Sequence, residues 1–389
     1  MTPLIDTAQR RARLVDRHLL APATRVGDVV SVADAVVALH ATDPATVFVS
    51  AAARMTGFTV AAVEDALYAE RSLLRLLAMR RTMFVVSAGV APVVDSSSGR
   101  AIAAKQRALL LTFVADGCGW DERRLADVEQ DVLAAVERRG SATATDLASD
   151  VSALTERVVV AAGTKHEQVQ NVNSRVLRIL AAENRIRRDR PRGAWTSSQF
   201  RWSLGEPLPE LPVAEAKAEL VRRWLARFGP GTEADIVWWT GWTRTDVRKA
   251  LAAVGAEPVD LADGAGFVLA GDTEPAPAHE PWAALLPGLD PTPMGWQQRD
   301  WYLPAEHRAE LFDNTGNVGP TVWWDGRVVG GWSQTASGEI VWEALEDVGA
   351  DAVKAIESEV ERLTAWTSAT SGVRITPRFR TPMDRRLGG

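Results

Sequence analysis

Apolar positions in the first eighty residues recur at helical spacing and are broken by short polar turns. They predict a helix from about Thr7 to Leu20, with Leu14 and Val15 on one face. A second runs over 31–41, with Ser31 as N-cap and Asp34 as its capping-box partner. Pro44 suits the first turn of a third, reaching Arg54, because its missing N–H would be unpaired there anyway. Further helices are expected over 60–69 and 72–79. Residues 80–86, Arg-Arg-Thr-Met-Phe-Val-Val, are β-branched and aromatic and read as a strand. Helices followed by a strand is the order of a winged-helix unit.

The order recurs. A charged amphipathic helix over 121–139, a short helix over 144–149 and a helix over 169–183 lead to two strands flanking Pro191-Arg192-Gly193, a wing anchored by Ile186 and Trp195. Helices over 213–228, 233–240 and 246–254 then precede a hairpin over 257–269. Pro-rich segments, 205–212 and 275–281, separate the parts. Beyond them strands are expected at 282–286, 321–324, 327–332 and 339–345, with Asp325-Gly326 as a hairpin turn and a helix over 350–368 packed on them. The pattern predicts a mainly α chain with small β elements (α+β), built as three tandem winged-helix units followed by a C-terminal β-barrel. The boundaries fall at 1–118, 119–206, 207–274 and 275–389.

A hydrophobic content of 46% is enough for real cores at 389 residues. The single cysteine, Cys118, excludes a disulfide framework and multi-cysteine zinc. The N-terminal residues lack a signal-peptide core, and no run approaches the length of a membrane span, so a soluble cytoplasmic protein is expected. Net charge is −6, but it is unevenly spread. Residues 183–202 and 372–389 each carry +4, leaving −14 on the remainder, a distribution suited to holding a polyanion in one orientation.

The candidate chemistry lies at His40-Ala41-Thr42-Asp43, expected at a helix-to-helix turn that presents three polar side chains together. His40 is able to accept a proton from a water or orient it, Asp43 to stabilise positive charge or cap the next helix, and Thr42 to add a hydrogen bond. Candidate DNA contacts are Arg80 and Arg81 before the strand, Gln170 and Asn173 at the start of the helix over 169–183, Arg187, Arg188, Arg190 and Arg192 on the wing, and Arg378 and Arg380 in the basic tail. The five histidines are isolated from one another, with no metal-ligand spacing, and no phosphate-binding glycine loop is present, so neither metal nor cofactor is implied.

Three segments carry a resemblance: Ala38-Leu39-His40-Ala41-Thr42; Phe228-Gly229-Pro230 before Trp238-Trp239-Thr240-Gly241-Trp242; and Leu285-Leu286-Pro287-Gly288-Leu289-Asp290-Pro291. With the order of parts, they make the chain similar to the bacterial tandem winged-helix DNA glycosylases, the AlkZ/YcaQ-like superfamily. In that family the first segment carries Gln-aliphatic-Gln or Gln-aliphatic-Asp, which holds the catalytic water; here His40 and Thr42 occupy the matching positions and Asp43 follows. The resemblance implies a monofunctional enzyme acting without cofactor on double-stranded DNA carrying bulky alkylated purines, such as the N7-alkylguanine adducts of genotoxic natural products, with antibiotic self-resistance as one role open to it. It also implies a barrel hairpin around Trp323, Trp324 and Arg327 that probes the minor groove. The alternatives are a non-catalytic DNA-binding regulator or lesion sensor, and a protein that sequesters a drug in its C-terminal part.

Overall fold

The computed structural model describes residues 2–160, 163–165, 167–370 and 373–389. The mixed α/β chain begins with α1 (Thr7–His18) and α2 (Val29–Ala35). Asp28, not Ser31, caps α2 by accepting the Ser31 amide at 2.8 Å, and the Asp34 carboxylate accepts from the Ser87 hydroxyl. The expected continuation of this helix to residue 41 does not form. Val37 takes a left-handed backbone (φ 62°), and the chain turns into β1 (Leu39–His40). α3 (Pro44–Arg54) follows.

The helix expected over 72–79 is instead β2 (Leu73–Ala78), antiparallel to β3 (Thr82–Ser87), which pairs with β1 on its other edge through Leu39↔Val85 and His40↔Phe84. A Leu-Leu-Arg-Leu-Leu-Ala run has high helix propensity, but an apolar run this short fits a buried strand equally well. The available edge of β3 decides the outcome. Arg80 and Arg81 form the β2–β3 turn with φ of 55° and 56°, a conformation that costs each on the order of 1 kcal/mol.

A separate core gathers α4 (Arg100–Cys118), α5 (Glu122–Arg139), α6 (Ala144–Asp150) and α7 (Val172–Ala182) around Leu125, Val132, Val176 and Leu180. α7 starts at Val172 rather than 169, because Gln168–Asn171 pairs as β5 with β4 (Arg157–Val160). The expected wing is present as β6 (Ile186–Pro191) and β7 (Phe200–Leu204). Its connecting loop does not project: Trp195 is buried against Phe48 of α3 (4.8 Å) and Trp366 (5.9 Å).

Helices α8 (Val213–Phe228), α9 (Glu233–Thr240) and α10 (Arg244–Ala253) and the hairpin β8 (Glu257–Leu261)–β9 (Gly264–Val268) follow the expected order. The C-terminal strands β10 (Ala283–Leu286), β11 (Thr321–Trp324), β12 (Arg327–Gln334) and β13 (Ile340–Ala344) form one antiparallel sheet in chain order. Among the described residues β10 and β13 do not pair, so the sheet is open rather than the expected barrel. α11 (Gly349–Ala369) and α12 (Pro382–Gly388) cover it. Side chains from α1–α3, α8–α10 and this sheet share one continuous core.

The segments that carried the resemblance are packing joints. Phe228 stacks with Trp224 (5.7 Å), meets His18 and Trp296, and its carbonyl accepts the Trp296 indole N–H. Asp290, fully buried, pairs with the equally buried Arg54 at the end of α3. That pair ties the C-terminal sheet to the helix whose N-terminus carries the candidate turn.

Candidate active site

Successive side chains of a strand point to opposite faces. Leu39 therefore enters the core, as does Ala41, while His40 lies on the other face; Thr42 follows the end of the strand and is half-buried. The His40 ring packs edge-on to Phe84 (5.5 Å) and borders a small cavity of about 70 Å³ lined by Arg80, Thr82, Trp239 and Asn317. The space admits a water or two, and its walls are polar enough to hold one.

Burial, and secondarily the positive charge of Arg80, push the His40 imidazolium down to about 4, so the ring is neutral at physiological pH. The Thr42 amide approaches His40 Nδ1 at 3.5 Å, too long to fix the tautomer. Arg80 lies over the Trp238 ring at 4.2 Å, and Arg299 lies over the same ring at 4.8 Å. Two guanidinium groups sharing one indole and facing no carboxylate favour the approach of an anion. Arg81 is exposed, and with Arg80, Lys105 and Lys217 it lines an open cleft of about 540 Å³.

Asp43 turns away from this cavity. It is 7% exposed; Oδ1 accepts from the Ala45 amide at 3.0 Å, capping α3, and Oδ2 accepts from the Arg378 amide at 2.8 Å. Burial raises its pKa, and the two amide bonds oppose the shift. It lines a nearly filled space with Thr46, Gly288 and Ile375. The carboxylate thus staples the C-terminal segment to α3, and neither Asp43 nor Thr42 lines the cavity beside His40. Asp43→Ala is expected to cost about 2–4 kcal/mol in urea unfolding, the sum of a lost cap and an orphaned buried amide. Asp43→Asn, which keeps one acceptor oxygen, should lose about half as much; equal stability of all three proteins would refute the staple.

Most other candidates have partners within the molecule. Arg190 pairs with Glu64 (2.6 Å) and Asp65, Arg187 with Glu206 (3.3 Å), and Arg188 lies over Phe200 (4.6 Å). Arg192 is exposed. Gln170 is on β5 rather than at the helix start, and its amide oxygen accepts from Arg175; Asn173 is in the first turn of α7, as expected, but its amide is spent on the Ala144 carbonyl. Arg327 pairs with Glu346 at 2.9 Å, Trp324 is half-buried, and Gly326 packs against Arg11 of α1, so this hairpin tip lies on the body. Arg380 donates to the Asp384 carboxylate and carbonyl on the C-terminal helix, whereas Arg378 reaches the Thr42 carbonyl at 3.5 Å. Asn317 and Trp239, which line the cavity beside His40, and Arg299, which meets Arg80 over Trp238, are the side chains that sequence reasoning missed; they arrive only through tertiary contact. His166 lies outside the described residues, and among those described no cluster of His, Cys, Asp or Glu is suited to a metal.

A neutral acceptor beside a water-sized cavity, with arginines nearby that have no acidic partner among the described residues, suits hydrolysis on an anionic polymer, and the comparisons place the chain among the DNA glycosylases. It belongs to the AlkZ-like DNA glycosylase family, whose model matches residues 33–366. It is 31% identical over 190 residues to the interstrand DNA cross-link repair glycosylase of Streptomyces sahachiroi, covering 46% of this chain and 49% of that protein, so the match spans about half of the relative's length. The solved structure of Streptomyces sahachiroi DNA glycosylase AlkZ superposes with a TM-score of 0.70 at 22% identity, over 94% of this chain and 97% of that one, a likeness of fold.

Proposed function

We propose that this protein is a monofunctional DNA glycosylase that hydrolyses the N-glycosidic bond of bulky alkylated purines in duplex DNA in the cytoplasm, and that it is a variant subgroup of its family with His-x-Thr-Asp at the catalytic turn. Self-resistance to a genotoxic natural product fits such a substrate. In this reading the tandem helical units are winged helices that cradle the duplex. The observation that carries the reading is the neutral His40 beside a water-sized cavity.

An N7-alkylated purine is already cationic and leaves without a general acid. The remaining task is to aim a water at C1′ and take up its proton as the oxocarbenium-like sugar forms. His40 takes the proton, Thr42 two residues on helps to orient the water, and Asp43 holds the turn in place. Arg80, Arg81 and Arg299 hold phosphates beside the site.

The test is incubation with duplex DNA bearing an N7-alkylguanine adduct in the presence of EDTA, with the free base measured by mass spectrometry and abasic sites by heat cleavage. Release without added metal is expected. Tight, salt-sensitive binding with no base released under any condition would make the protein a lesion sensor instead, a reading favoured only by the engagement of both Asp43 oxygens. Arg80→Ala and Arg81→Ala should each weaken binding to any duplex alike and lower the slope of log K against log salt by about 1. An unchanged slope would remove these residues from the phosphate path.

A further inference from the structure

A cleft of about 690 Å³ opens between the β2–β3 sheet and the second core, lined by Arg71, Arg75, Arg178, Arg187, Arg188 and Arg378. Among the described residues Glu206 is the one carboxylate on its walls, and it is taken by Arg71 (2.8 Å) and Arg187 (3.3 Å). Apart from Asn184 the rest of the lining is apolar, including Leu74, Met83, Ile186 and Trp202.

Arg75 is the key group. Its Nε, Nη1 and Nη2 are all screened from solvent; the phenol of Tyr68 is the one neighbour near enough to help it, and among the described residues no carboxylate pairs with it. An arginine does not deprotonate to escape burial, so a guanidinium without a counter-charge in such a place is costly and calls for a reason. Arg75 and Arg188 both lie over Phe200, at 5.0 and 4.6 Å, so two like charges share one ring. Burial, with the charges of Arg75, Arg178 and Arg378 added, pushes Arg188 down to about 10. An anion seated among these groups would relieve both burial and repulsion.

We propose that this cleft binds an amphipathic anion, a molecule of nucleotide size that carries a phosphate or sulfonate on an aromatic or apolar body. Its volume is that of a small-ligand site and excludes a duplex, so the anion is either a free small molecule or one nucleotide displaced from a strand. Arg378 links the cleft to the candidate turn, since it lines the one and binds the Thr42 carbonyl of the other. The site does not require that the protein excise bases.

Titrating the full-length protein with the fluorescent sulfonate 8-anilinonaphthalene-1-sulfonate should give saturable binding at one site, displaced by dGMP. Arg75→Gln and Arg188→Gln should each weaken the probe by about ten-fold, the loss of one charge-assisted contact. The exposed Arg178→Gln tests the same charge should a buried variant fail to fold, and Arg222→Gln, paired with Glu219 elsewhere, should match the wild type. Displacement by a duplex with one bulged nucleotide, but not by the same duplex without the bulge, identifies the ligand as a strand nucleotide; displacement by dGMP alone identifies a free ligand. Absent saturation, no displacement by dGMP, or equal probe affinity in wild type, Arg75→Gln and Arg178→Gln would overturn the proposal.

Discussion

Replacing His40 with alanine is expected to lower single-turnover base release by about 10²–10⁴-fold, the usual contribution of a positioned base, with duplex affinity within a factor of about three. His40→Gln, which restores the residue type of the related family's motif, should recover much of the lost rate because an amide oxygen also orients a water. A purely structural histidine would instead lose stability in both variants and leave the rate per folded molecule unchanged. The pH profile adds an independent check. With the folded pKa lowered to about 4, His40 stays neutral at ordinary pH, so excision should be flat from pH 8 down to about 5 and fall as protonation sets in near 4. The stability effect has a definite sign. The unfolded imidazole titrates near 6.5, so between about 6.5 and 4 the unfolded chain binds the extra proton. The contribution of His40 is fully present above that window and is lost as pH falls through it. His40→Ala should remove this part of the acid sensitivity.

Asp290→Ala is expected to destabilise the protein by about 3–5 kcal/mol in urea unfolding, because it leaves the Arg54 charge buried without its partner. Arg54 and Asp290 are both fully buried. The guanidinium donates from Nε to the His18 carbonyl (2.9 Å), from Nη1 to the Ser50 carbonyl and Asp290 Oδ2, and from Nη2 to Asp290 Oδ1 and Thr292 Oγ1. The Ser50 hydroxyl and the Thr292 amide complete the carboxylate's shell. Replacing both residues, Arg54→Met with Asp290→Leu, should cost less than Asp290→Ala alone, since no charge is then stranded. If the single variant unfolds with the wild type, the pair does not hold the C-terminal sheet to α3. Because Arg54 ends the helix that Asp43 begins, loosening it should also lower excision.

Legibility varied with the range of the interactions involved. α8, α9 and the hairpin β8–β9 match expectation closely, since their apolar periods, the Thr232–Asp235 capping box and the turn residues are all local. The Asp325-Gly326 hairpin was equally readable. The errors cluster where short apolar runs fit two structures. Residues 36–41 and 73–78 satisfy helix and strand patterns alike, and only the presence of β3 between them selects the strand. The basic strips were visible as composition, but the engagement of the first by Glu64, Asp65 and Glu206 was not, because those acids lie outside it on other elements.

The local order of residues was sufficient to name the turn at His40-Ala41-Thr42-Asp43 and to separate the chain into helical and strand-rich parts. Tertiary packing decided how the side chains of that turn are disposed. Pairing with β3 turns His40 away from the core, and the arrival of Arg378 from the far end of the chain draws the Asp43 carboxylate away from the cavity beside it. A strand's register and a buried carboxylate's partners are both chosen by groups distant in sequence, and no local pattern encodes them.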